Sequence, residues 1–123
     1  MKGSFHPRAL LRTMVSTQCS ADPDVRGWYR THGDREFFSQ QDPSNDPLRA
    51  LAEFLAWFTT DDGSHNGFVT PMKLVFEFMG HYGYVLEDDR EFLLGVKAMW
   101  EGAQANADSI ELLLREHGQK KPA

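Results

Sequence analysis

Cysteine is almost absent. Cys19 is the only one in 123 residues. That excludes an intrachain disulfide and a cysteine-rich zinc site, and it fits a reducing compartment. Lysine is scarce as well, with five against eight arginines, and the one adjacent pair is Lys120-Lys121. Phosphate recognition needs clustered Lys and Arg. The scattered bases and a formal net charge of −5 therefore speak against a general nucleic-acid binder. Long apolar runs are missing too. No window approaches the roughly 20 apolar residues of a spanning helix. The start, MKGSFHPRALLRTMV, has the pattern of neither a signal peptide nor an anchor. No membrane association is expected, and a cytoplasmic location is. His6, His32, His65, His81 and His117 form no H-x-x-x-H or H-E-x-x-H pair, and no G-x-S-x-G, P-loop or dinucleotide fingerprint occurs. An enzyme is therefore the third choice of function.

What is present suits a core. Apolar residues make up 41% of the chain and aromatics 12%, beside 25% charged. A single domain, 1–123, of this size hides roughly two-thirds of its unfolded surface. Residues 1–6 and 118–123 are expected to be loose. From Pro7, the residues Leu10, Leu11, Met14, Val15 and Cys19 recur at spacings of three and four, one face of a helix. Cys19 on that face reads as a small core hydrophobe rather than a nucleophile. "SADP" stops this helix, and Asp22 with Pro23 opens a second that ends at Gly33. A short piece, "REFFSQQ", follows. Asp46 with Pro47 opens a third helix, whose stripe is Leu48, Leu51, Ala52, Leu55 and Phe58, widened by Phe54 and Trp57. After "TTDDGSHNG" comes a helix from Thr70, apolar nearly all round and so expected at the centre. "GHYGY" breaks it. "GYVL" is the best strand candidate in a sequence otherwise lacking period-two alternation.

From Glu87 to His117 there is no proline. Phe92, Val96, Met99, Ala103, Ile110 and Leu113 follow alternating steps of four and three, with Asn106 filling the missing place, and Leu93, Trp100, Ala107 and Leu114 add a flanking row every seven. One helix of about 45 Å is expected, with a bend near Gly102 possible. The fold expectation is all-α: a compact bundle or array of about five helices with a long C-terminal helix.

One stretch suggests specific chemistry. "DGSHNGFVTPMK", 62–73, resembles the EF-hand loop. That family's twelve-residue loop alternates oxygen ligands around a central glycine. The resemblance implies calcium contacts from Asp62, Ser64, Asn66, the Phe68 carbonyl and Thr70, with Gly67 at the turn. Val69 matches the aliphatic position. The last position, a bidentate glutamate in the family, is Lys73, which removes two oxygens and adds a cation. Calcium binding is expected to be weak or absent, and no sister loop is found. Read from the residues alone, the stretch serves equally as a polar helix connection whose Asp, Ser, Asn and Gly satisfy helix ends.

With no catalytic constellation, the leading expectation is a non-catalytic interaction protein, a regulator, chaperone or inhibitor of another protein. An ion- or ligand-responsive module built on the 62–73 loop is the alternative. Candidate partner-binding residues are Arg26, Trp28, Tyr29 and Arg30, since Trp, Tyr and Arg dominate hot spots. Trp28 fits a core position as well. Ile110, Leu113 and Leu114 are candidates because a long helix would carry them past the core, to be covered by the N-terminal helix or by a second chain, as in a homodimer. Glu87-Asp88-Asp89 reads as helix-start chemistry or as a contact for a basic partner.

Overall fold

Proline places the helices. Four of the six prolines sit in a first helical turn, where the missing N–H costs nothing. The computed structural model describes residues 7–21, 23–32, 46–60, 69–102 and 106–120. They form α1 (Pro7–Ala21), α2 (Pro23–His32), α3 (Pro47–Thr60), α4 (Val69–His81), β1 (Tyr84–Leu86), α5 (Asp89–Gly102), α6 (Ala107–His117) and β2 (Gly118–Lys120). The fold is all-α, with a small two-stranded ribbon. The "REFFSQQ" piece and the 61–68 stretch lie outside the described residues.

α3 is the central helix. Leu48, Ala50, Leu51, Ala52, Phe54, Leu55 and Phe58 are all buried. It packs against α1, α4 and, most extensively, α6. Its start is capped as its sequence implies, with Asp46 Oδ1 accepting from the amides of Leu48 and Arg49 at 3.1 and 3.4 Å. α4, expected at the centre, is instead two-faced. Met72, Leu74, Val75, Phe78 and Met79 are buried, while Phe76 is 39% exposed beside Lys73 and Glu77. An apolar surplus in the sequence did not mean burial all round.

The expected long C-terminal helix is two helices. Asn106 takes an extended conformation (φ −135°, ψ 164°), and its side chain accepts from the Ser109 amide at 2.9 Å, capping α6. An Asn side chain competes for backbone bonds and favours such a cap over a helix interior. Packing adds a second reason. Phe92 and Val96 on α5 and Ile110 and Leu114 on α6 all join one core, which a straight helix of about 45 Å could not arrange in a domain this small. α5 and α6 pack on each other. Gly95 admits the Leu113 side chain, whose methyls would lie 3.1 Å from a Cβ there. Met99 and Trp100 are half-buried against the core.

Residues 118–120, expected to be loose, form β2. It pairs antiparallel with β1 in the register Tyr84↔Lys120, Val85↔Gln119, Leu86↔Gly118. Gly83 turns the chain from α4 into β1 with φ 82°, a conformation that favours glycine. Gly118 is required by space, because a Cβ there would meet Met79 Cε at 2.5 Å and the Leu114 carbonyl oxygen at 2.7 Å. Lys120 fastens the end: its ammonium donates to the Tyr82 carbonyl at 2.8 Å and lies 4.7 Å from the Tyr84 ring centroid.

Candidate functional site

Two regions carry the polar chemistry of the described residues. The first is an ion-pair chain along the α3–α6 seam. Arg49 on α3 donates to Glu53 (3.2 Å), Asp108 (2.7 Å) and Glu111 (2.8 Å). Glu111 also accepts from Arg115 (2.7 Å), which reaches back to Asp46, while Glu53 accepts from Arg8 of α1. The Arg49 guanidinium, first, and then Arg115 hold the Glu111 carboxyl below the usual carboxylate range. Asp108, ahead of Glu111, raises Arg49, and Glu111 raises Arg115. Each arginine faces carboxylates, so the chain joins three helices and holds them. Its work is structural.

The second region is an open groove at the corner of α4 and β1. Its volume is about 320 Å³, and it is lined by Phe76, Met79, Gly80, Tyr84, Val85, Leu86 and Asp89. The i, i+4 spacing of Phe76 and Gly80 puts both on one face of α4, and glycine leaves the second position without a side chain. Phe76 is 39% and Val85 46% exposed. Acid gathers here: residues 76–91 hold Glu77, Glu87, Asp88, Asp89 and Glu91 against a single Arg90. All five acids are exposed. Asp88 doubles as the cap of α5, its carboxylate accepting from the Glu91 amide at 3.2 Å.

The residues singled out from sequence fall in three groups. Arg26 and Arg30 are exposed on one face of α2, and Tyr29 is half-buried against the core. Trp28 belongs to α2, and its side chain lies outside the described residues, as does that of Cys19 in α1. Ile110 and Leu114, partner-binding candidates expected to be covered by the N-terminal helix or by a second chain, are 1% and 0% exposed, and Leu113 is half-buried against Gly95. They are covered by their own chain because the break at Asn106 folds α6 back onto α3. Of the calcium-loop residues, Asp62, Ser64, Asn66 and Phe68 lie outside the described residues, as does the Thr70 side chain. Lys73 is exposed on α4. Among the described residues no group of three or more His, Cys, Asp or Glu is placed to hold a metal, and no helix is long and apolar enough to cross a membrane. Comparison with family models, curated proteins and solved structures gives no match.

Sequence reasoning missed the groove. Phe76 was absorbed into an all-round apolar helix, and Val85 is one residue of a three-residue strand. The signals available were the acids crowding 87–91 and the glycines at 80 and 83.

Proposed function

We propose that the chain is a non-catalytic protein-binding domain that regulates, chaperones or inhibits another protein by docking it at the α4–β1 groove. The observation that carries this is the exposure of Phe76 and Val85 side by side at an open apolar groove, in a domain whose other phenylalanines among the described residues are buried. Apolar surface rimmed by charge is what protein interfaces bury. A lone cysteine supports work in a reducing compartment such as the cytoplasm.

Site-specific photo-crosslinking tests the proposal. A photoreactive side chain at Phe76 or Val85 should capture a discrete protein in cells. The same group at Lys97, exposed on α5, should not. Equal labelling from all three positions would remove the groove from consideration.

A further inference from the structure

The outer edge of β1 lies along the groove. In an antiparallel ladder, hydrogen-bonded and non-hydrogen-bonded pairs alternate. The Glu87 amide donates to the His117 carbonyl at 2.6 Å, and these two residues come next when the observed register is continued by one pair. By alternation, Val85 and Gln119 are the next hydrogen-bonded pair. Gly118 agrees, since its N–H donates to the Leu114 carbonyl and so is not spent on Leu86. The N–H and C=O groups of Tyr84 and Leu86 therefore point away from β2. The groove is lined by all three β1 residues and by no β2 residue, as a groove beside that edge would be.

We propose that the groove receives an extended, basic segment of a partner protein, which adds as a strand to the outer edge of β1. The proposal rests on the docking function above and names its occupant. Main-chain hydrogen bonds to Tyr84 and Leu86 supply the pairing, and alternate apolar side chains drop toward Phe76 and Met79. The pairing spans about 10 Å, so affinity depends on what the rim adds. Charge complementarity chooses the partner's sign. Asp89 lines the groove, Glu87 and Asp88 follow the strand, and Glu77 neighbours Phe76. Lys73 stands one turn away on α4, Arg90 is next to Asp89, and Lys120 is engaged with Tyr82 and Tyr84. A second copy of the chain would bring a surface of the same acidic sign to the groove, with no charge complementarity to it. A segment carrying Lys or Arg beside apolar residues meets opposite charge instead.

A phage-displayed library of random linear peptides, selected on the intact protein, tests this. Enriched sequences should alternate apolar residues and carry Lys or Arg. A synthetic peptide of the consensus should lose at least about tenfold in affinity for Val85→Lys, which adds a repelling charge at an exposed rim position. Leu86→Pro, which removes an outward N–H, should weaken it too. Circular dichroism establishes that each variant is folded, and Val85→Lys alone suffices if Leu86→Pro is not. Backbone N-methylation at alternate peptide positions should abolish binding. Several results overturn the proposal: no enrichment, an acidic consensus, apolar residues at helical spacing, or binding that survives N-methylation. So does a dimer in analytical ultracentrifugation that Leu86→Pro converts to monomer, which would make a second copy the occupant. A peptide that binds the groove despite N-methylation removes strand addition and leaves the docking function standing. Failure of both selection and photo-crosslinking removes both.

Discussion

The α3–α6 seam and the α4–β1 corner use the same residue types for opposite results. At the seam, Phe54, Ile110 and Leu114 are sealed in the core, and the acids Asp46, Glu53, Asp108 and Glu111 are each met by an arginine. At the corner, Phe76 and Val85 stay open, and no ion pair among the described residues takes Glu77, Glu87, Asp88 or Asp89. Charge that finds a partner within the chain tightens the fold. Charge without one is available to something else. The difference lies in which helices face one another rather than in composition, and it separates the part that holds the domain from the part proposed to recognise a partner.

Substitutions can break that contrast, and the largest effect is expected at the seam. Phe54→Ala empties the centre of α3 and should cost about 4 kcal/mol, read as a lowered urea midpoint. A loss below about 1 kcal/mol would mean that α3 is not the central helix. Gly118→Ala comes next. Its methyl has no room beside Met79 and the Leu114 carbonyl, so a loss of about 2 kcal/mol is expected in the same assay. A neutral result would show that the ribbon does not close tightly on α4.

Glu111→Gln sharpens the electrostatic half of the comparison. Arg49 first and Arg115 next hold the Glu111 carboxyl below its ordinary value, so its folded pKa lies below its unfolded one. Its stabilisation is then complete above the ordinary glutamate value of about 4.3 and is lost as pH falls through the folded value. The wild type should exceed the variant by about 1 kcal/mol at neutral pH, and the gap should close in acid. A gap that does not change with pH would remove the carboxylate from the seam's stability.

Smaller effects are expected away from the seam. Gly27→Ala, with nothing within 4 Å of the added methyl on α2, should raise stability by about 0.5–1 kcal/mol. Val85→Ala in the corner should change it by less than about 0.5 kcal/mol. If Val85→Ala destabilised the domain as much as Gly118→Ala, the corner would be structural and the contrast would fall. A calorimetric titration with calcium is expected to show no saturable signal at micromolar concentrations, because the stretch that resembles an EF-hand loop ends in the cationic Lys73.

Much of the architecture was legible because it is local. Pro7, Pro23, Pro47 and Pro71 announced helix starts, and Asp46 announced its cap. The spacing of Leu48, Leu51, Leu55 and Phe58 marked the face that is buried. "GHYGY" marked a stop, and "GYVL" contained the strand. Each follows from steric limits or hydrogen-bond competition within a few residues. The unbroken helix from Glu87 to His117 failed because its apolar row resumes in phase at Ile110 after Asn106, the one polar residue in it. Asn106 offers a local cap, and the need to put Phe92, Val96, Ile110 and Leu114 into one core decides that the helix breaks there.

The candidate site was hidden for the same kind of reason. In sequence, exposed Phe76 and buried Phe78 read alike, as do buried Ile110 and Leu114 and Leu112, which is 59% exposed. The sequence by itself determined helix positions, polarity and the acidity of 87–91, since these depend on covalent neighbours and on residue chemistry. Which apolar residues are sealed, which acids meet Arg49 and Arg115, and where β1 turns an open edge to a groove were decided only by the tertiary structure. Burial and pairing depend on segments tens of residues apart, and a linear pattern carries no distance between them.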